Sequence, residues 1–247
     1  LEKGIVYIAF DRDYDNVAAH AIAYSRQFTD LPICVFTNLD EDQRSVKWND
    51  VKKISFHYIK KSVKFNRDLK TKMFEYTPFD LSLCLDCDCI IQHKGIENLF
   101  DFSKEFDIAL CVNLYWKEND SVLKIYKEAM KLAGSKLPIT IYSGAFQLFR
   151  KTRRVADLYS FWNQYWKMNG SGRDMPALNC AVQNSGVQVL EIKTASSVFA
   201  AEHKQEQAII QHRYTGDFCE RFGLPDYKPW KPFDTDPNNF TWVEFDS

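Results

Sequence analysis

Residues 79–90, Phe-Asp-Leu-Ser-Leu-Cys-Leu-Asp-Cys-Asp-Cys-Ile, restrict more than any other stretch what this chain can build. Leu81, Leu83 and Leu85 alternate with Ser82, Cys84 and Asp86, which is the period of a strand. A strand this apolar belongs inside a sheet, and its outgoing end delivers Asp86 and Asp88 to one rim. Two carboxylates with one residue between them repel unless a cation relieves the repulsion. Hard oxygen ligands suit Mg²⁺ or Mn²⁺, which leave positions open for a substrate's phosphates. Asp-x-Asp also serves in plain solvated turns. Position favours chemistry here, because ligands of open α/β sheets bind outside the carboxyl ends of the strands. If the strand runs on, alternation puts Cys84 on the side of Asp86 and Asp88 and turns Cys87 and Cys89 the other way.

The rest of the chain reads as the other parts of such a sheet. Residues 4–10 form a strand, followed by a polar loop from Asp11 to Asn16. Asp15 or Asn16 then caps a helix in which Val17, Ala21, Tyr24 and Phe28 recur at helical spacing. Strands follow at residues 31–38, ending in Thr37 and Asn38, and around residue 56. Strand, helix and strand joined by short loops open a parallel α/β sheet. A basic, aromatic helix over residues 66–80 carries Arg67, Lys70 and Lys72 and ends at Pro78. Arg67 and Lys70 are three apart, within reach of a pyrophosphate held at the carboxylates, although a solvated helix face also explains such lysines. A strand at 107–114 and a helix at 120–133 come next, then a turn at Tyr142-Ser143-Gly144 before a short strand. Gly144 would let backbone approach a ligand closely, or simply serve a bend. Beyond a long aromatic helix, Asp174 stands as N-cap of a helix with Pro176 in its first turn, and a late strand follows at 186–192. His212 lies in the tail. There is no repeat, low-complexity tract or linker, so the expectation is one α/β domain over residues 1–247.

Composition removes several alternatives. Lys and Arg total 32 against 33 Asp and Glu, a balance that speaks against a nucleic-acid coat protein. There is no Gly-x-Gly-x-x-Gly turn for NAD or FAD and no Gly-Lys-Ser/Thr loop for ATP. Seven cysteines scattered through strands and helices read as reduced, buried thiols rather than a disulfide framework. Cys84, Cys87 and Cys89 raise a zinc reading. Their opposing directions and the lack of a nearby Cys/His pair argue against it. Aromatics at 15% exceed what a core usually needs, so some should line a pocket or an interface. No stretch approaches the roughly 20 apolar residues of a membrane span. Cytoplasmic is the default location, and the start at Leu1, without Met, leaves room for a removed segment.

Four blocks, residues 69–91, 142–152, 172–190 and 209–216, carry a resemblance in order along the chain. They resemble the GT-A glycosyltransferases, in particular the group of glycogenin-like and lipopolysaccharide galactosyl- or glucosyltransferases. The resemblance implies a GT-A domain with a mixed, mostly parallel sheet flanked by helices. It implies transfer of a sugar from a nucleotide-diphosphate donor, UDP being the expected nucleotide, to an acceptor hydroxyl, with retention the expected outcome. By the same resemblance Asp86, Asp88 and His212 hold Mn²⁺ or Mg²⁺, which neutralises charge on the departing diphosphate. Lys70 steadies the phosphates, and Asp174 touches the donor sugar or the reacting centre. Asp11 and Tyr14, then Thr37 and Asn38, receive base and ribose. Cys87, Ser143 and Gly144 fall in the donor-binding blocks. The acceptor is left open among glycan, lipid, protein and nucleic acid, as is the oligomeric state.

The chain departs from the pattern in three places. Met175 stands where retaining members often place Gln, and Tyr142 where Asn or Asp is usual. The terminal His-x-x-Gly-x-x-Lys-Pro-Trp pattern is stretched, with Gly216 four after His212 and Lys228 as a displaced phosphate ligand. Met175 and Tyr142 support a rival, a sugar-nucleotide or glycan-binding protein without turnover. A phosphatase of the haloacid dehalogenase class would use Asp86 as nucleophile and Asp88 as acid/base, but carries its motif near the N-terminus. Basic residues from Lys53 to Lys72 keep nucleic acid as a minority acceptor.

Overall fold

The computed structural model describes residues 1–59, 66–101, 105–112, 120–136, 140–193, 196–201 and 207–212. Its centre is a seven-stranded sheet. The first strands are β1 (Lys3–Ile8), β2 (Ile33–Thr37), β3 (Ile54–Tyr58) and β4 (Leu81–Leu85). β5 (Cys89–Ile91) leaves this sheet, and β6 (Ile108–Val112), β7 (Tyr142–Arg150) and β8 (Val189–Lys193) complete it. The order is β3-β2-β1-β4-β7-β6-β8, with β7 alone antiparallel to its neighbours. A second sheet of three strands, β5-β10-β9, adds β9 (Phe199–Ala201) and β10 (Ile210–His212).

Alternation in the central strands divides the core in two. Ile5, Tyr7, Val35, Leu83 and Leu85 face one side. Val6, Cys34, Phe36 and Cys84 face the other. The first side is covered by α1 (Asp11–Ser25), whose Ala18, Ala19 and Ala21 let it pack closely on β5. Ser25 Oγ accepts Ile91 N at 2.9 Å and ties the second sheet to that helix. The opposite side is covered by α6 (Arg153–Met168) and α7 (Asp174–Ser185), with α2 (Asn66–Lys70) and α3 (Met73–Tyr76) at its edge. Short α4 (Ile96–Leu99) and longer α5 (Asp120–Leu132) complete the α-helices among the described residues. Thr152 caps α6 by accepting Val155 N, and Tyr159, Trp162 and Trp166 form its buried face. At Gly4 a Cβ would clash with the Phe79 ring, so β1 and the entry to β4 approach as they do because no side chain intervenes.

Several local expectations change. α1 begins at Asp11, so neither Asp15 nor Asn16 caps it; Asp11 and Asp13 occupy its first turn, where negative charge suits the helix dipole. Asp15 is instead buried, accepting Ser45 N at 2.6 Å and Trp48 Nε1 at 2.9 Å. The basic helix is two short pieces, α2 and α3, separated by Thr71 and Lys72. Asp174 is the first helical residue of α7 and Arg173 its cap. Tyr142, Ser143 and Gly144 belong to β7 rather than to a turn before it. The irregularity there is a bulge: Leu110 pairs with Gln147, but the next residue, Cys111, pairs with Ser143. The second sheet went unread, because strands of three residues carry almost no periodic signal. No helix among the described residues is long and apolar enough to cross a membrane.

Candidate active site

Asp86 follows β4 directly and its amide donates to Ala145 O on the β7 bulge at 3.1 Å. A tight turn, with Cys89 N donating to Asp86 O at 2.9 Å, then sends the chain into β5 and leaves Asp88 between the two sheets. The strand thus ends in the turn, and the alternation of β4 does not govern Cys89.

Two charged groups meet at this rim. In the first, Lys70 Nζ from the end of α2 donates to Asp86 Oδ1 at 2.6 Å and lies 3.6 Å from Asp174 Oδ2. Arg67 Nε stands 3.8 Å from Asp174 Oδ1, and Arg67 Nη1 donates to Gly172 O at 3.1 Å. Burial disfavours the Lys70 ammonium, but Asp86 and Asp174 outweigh it and hold its pKa above the usual lysine value. Asp174 is positioned from α6: Trp162 Nε1 donates to its carbonyl at 2.9 Å, and Trp166 Nε1 to Gly172 O at 3.1 Å. Trp48, Trp162 and Trp166 are buried rather than lining a surface: Trp162 and Trp166 brace the entry to α7, and Trp48 bonds Asp15 of α1. Asp174 Oδ2 is buried and lacks a hydrogen-bond partner among the described residues. Gly144 completes this group by absence: a Cβ there would lie 3.2 Å from Lys70 Cε and 3.5 Å from Asp174 Oδ2. The bulge is stiffened from behind, since Tyr159 OH donates to Gln147 Oε1 and Gln147 Nε2 to Gly144 O.

In the second group His212 Nε2 lies 3.2 Å from Asp88 Oδ1. Burial opposes protonation of this imidazole, yet the Asp88 carboxylate raises its pKa above the ordinary histidine value. The antiparallel register of β10 on β5 sets His212 opposite Cys89. Ligand atoms of Asp88, Cys89 and His212 all lie within 4.8 Å of one another, a donor set that fits a divalent cation. The Cys/His pair missing near the motif in sequence is therefore present in space, which corrects the argument against a thiol near the carboxylates.

The remaining candidates divide. Tyr14 is half-buried and near enough for Asp86, Asp88 and Arg67 to act on its phenol, whose pKa burial raises. Asp11 and Asn38 instead bond to each other at the ends of β1 and β2. Asp11 N donates to Asn38 Oδ1 at 2.7 Å, Asn38 Nδ2 to Asp11 Oδ1 at 3.0 Å, and Asp11 holds a positive φ of 65°. Thr37 is fully buried and its hydroxyl accepts Leu39 N at 3.1 Å. Ser143 Oγ accepts Ala145 N at 3.3 Å inside the bulge, and Cys87 is packed into the first core. Tyr142 donates its hydroxyl to Glu191 Oε1 at 2.9 Å, and Met175 packs on the cluster of Tyr126, Met130 and Cys180. Lys228 and Gly216 lie outside the described residues. Cys89, weighed in the sequence as part of a zinc set and set aside, joins Asp88 and His212 through the pairing of β5 with β10, which no local pattern encodes.

No protein-family model and no curated protein sequence matches the chain. Solved structures do. A galactosyltransferase, LgtC, in complex with donor and acceptor sugar analogs superposes with a TM-score of 0.61 at 15% identity, over 86% of this chain and 87% of that one. Mouse xyloside xylosyltransferase 1 in its apo form gives 0.60 at 12% identity, over 87% of this chain and 98% of that one. The bifunctional glycosyltransferase WbbM gives 0.61 at 10% identity, over 86% of this chain but 45% of its own. The protein has the GT-A glycosyltransferase fold, as the four sequence blocks imply.

Proposed function

We propose that this protein is a metal-dependent glycosyltransferase. It moves a sugar from a nucleotide-diphosphate sugar, a UDP-sugar first, to an acceptor hydroxyl with retention of configuration. One observation carries the reading: Asp86 and Asp88 meet Lys70, Asp174 and His212 at one rim of a sheet shared with known transferases. In this reading Asp86, Asp88 and His212 hold Mn²⁺ or Mg²⁺. The bound cation supplies positive charge against the leaving diphosphate. Lys70 adds a fixed ammonium on the same side, turning from its carboxylates toward a phosphate oxygen. Asp174 Oδ2, buried with Lys70 Nζ at 3.6 Å but no hydrogen bond, accepts a hydroxyl of the donor sugar and so orients it; a buried acceptor short of a hydrogen bond is otherwise a standing cost. Tyr14, Asp11 and Asn38, with Thr37 behind them, form the side where base and ribose lie. Cys87, Ser143 and Gly144 contribute backbone at the phosphates and the sugar, and Lys228 is a further phosphate ligand. The whole of residues 1–247 makes one such domain.

The test is thermal shift and donor hydrolysis with UDP-, GDP-, CMP- and TDP-sugars in Mn²⁺, Mg²⁺ or EDTA. A ligand at 100 times its Kd adds about 2.7 kcal/mol, or roughly 5–10 °C for a chain of this size. One nucleotide sugar should give that shift with metal and lose it in Asp86→Asn. Hydrolysis of a phosphate ester with no response to any sugar nucleotide would overturn the proposal in favour of a phosphatase. A second reading, donor binding without turnover, draws on Tyr142 and Met175, whose side chains are committed to Glu191 and to the α5 cluster. Donor-dependent stabilisation with no transfer or hydrolysis would select it.

A further inference from the structure

We propose that Cys89 is a protein ligand of the cation site, and that Asp88, Cys89 and His212 together give it a preference for thiophilic divalent ions such as Zn²⁺, Co²⁺ or Cd²⁺. This deepens the proposed function and rests on Asp88 and His212 being cation ligands.

The geometry comes from backbone pairing. Cys89 opens β5 directly after Asp88, and the β5–β10 register sets His212 opposite it, so one carboxylate, one thiol and one imidazole converge. Their donor atoms lie within 4.8 Å of one another, and the Asp88–His212 separation is 3.2 Å. Three protein donors of this kind leave room in the coordination shell for Asp86 and for a substrate oxygen, since such sites expand to five ligands. Mg²⁺ has little use for sulfur, whereas a thiolate selects softer ions, and nitrogen and sulfur donors follow the order that places Mn²⁺ weakest. Cys89 is fully buried and gives up only a weak contact to coordinate, its Sγ lying 3.8 Å from Ala145 O. On binding, the Sγ–H proton leaves to solvent and the sulfur lone pair forms the metal bond, with nothing oxidised or reduced. The neighbouring thiols lie elsewhere in the packing: Cys84 belongs to the core on the opposite face of the sheet, and Cys87 is not among the three converging donors.

The experiment is a Co²⁺ titration of the EDTA-stripped chain followed by absorbance. The expected result is a near-ultraviolet thiolate-to-cobalt charge-transfer band, saturating at one equivalent, together with visible d–d bands. Cys89→Ser should remove the charge-transfer band and keep the visible bands, and Cys84→Ser, on the opposite face of the sheet, should keep both. Zn²⁺ should displace Mn²⁺ from the native chain, read by the electron spin resonance of released Mn²⁺. At least about tenfold more Zn²⁺ should be required in Cys89→Ser, the lower end of what altered metal surroundings cost. Visible bands without a charge-transfer band in the native chain would overturn the assignment of Cys89 while leaving the cation site standing. That result needs no variant to fold. A charge-transfer band that survives Cys89→Ser would overturn it as well. No Co²⁺ absorption of either kind would overturn both this inference and the metal reading beneath it.

Discussion

Asp86 and Asp88 are separated by a single residue, yet their surroundings differ in kind. Asp86 bonds a lysine ammonium at 2.6 Å, and its side chain keeps 35% of its exposure. Asp88 faces a histidine at 3.2 Å and keeps 13%. The lysine remains a cation through the neutral range, because Asp86 and Asp174 reinforce a charge that burial alone would weaken. The imidazole is a partner of another sort, since it can exchange its proton for a metal. So one carboxylate is paired with a fixed ammonium, and the other with an imidazole whose proton a metal can replace. On the proposed function, the repulsion between the motif carboxylates is relieved by two devices, one permanent and one loadable.

Breaking the loadable half should produce the largest effect. Asp88→Asn removes a first ligand from the Asp88–Cys89–His212 set, and Mn²⁺ or Co²⁺ affinity should fall by about 100-fold or more, beyond the usual penalty for a supporting residue. Asp86→Asn should weaken the bare cation less, because Lys70 already engages that carboxylate. Isothermal titration with the metal alone measures both. Equal losses would erase the distinction between the two aspartates.

That distinction was only half legible in the sequence. The run from Leu81 to Leu85 alternates strongly enough to announce a buried strand with Asp86 at its outgoing end, and β4 is that strand. The sequence also puts Arg67 and Lys70 on a helix leading to it, and both lie on α2. The grouping of Asp88 with Cys89 and His212 could not be read the same way. It depends on β5 and β10, three residues each, paired across more than a hundred residues, and no local period encodes such a register. The bulge in β7 is likewise indistinct from a turn in sequence, since Ser-Gly marks either one; hydrogen bonds from Gln147 and Asp86 decide between them.

Breaking the permanent half should cost turnover and some stability together. Lys70→Met leaves Asp86 and Asp174 facing one another with Arg67 as the remaining close cation at Asp174. Urea denaturation should show a loss of about 1–2 kcal/mol. That is below the 3–5 kcal/mol of a fully buried pair, because Asp86 is partly in water. Donor turnover should fall about 100-fold, the usual scale for one charge-stabilising group. Metal affinity in the absence of donor should hold or rise, as Asp86 is released. A fall in metal affinity matching that of Asp88→Asn would mean the two clusters are one.

A gentler probe separates position from charge. Gly144 does not adopt a left-handed φ, so alanine is sterically the only issue, and its Cβ would stand 3.2 Å from Lys70 Cε. The lysine chain can yield by a few tenths of an ångström. Gly144→Ala should therefore cost under about 1.5 kcal/mol, yet lower turnover about tenfold through the displaced ammonium. Unchanged turnover would show that the lysine's position is not tightly required.

The smallest effect should come from Tyr142→Phe, two residues along the same strand. Its hydroxyl reaches Glu191 Oε1 at 2.9 Å across β6, and its backbone is held by Asn179, which accepts from Tyr142 N and donates to Tyr142 O. The phenol is thus tied to the far edge of the sheet, away from both charged groups. Removing it forfeits one partly exposed hydrogen bond, about 0.5–1.5 kcal/mol at most. Metal affinity and donor turnover should stay within about twofold, a change worth under 0.5 kcal/mol. A large loss of turnover with normal stability would make Tyr142 a substrate contact and extend the reacting region along β7, beyond Lys70 and the two aspartates.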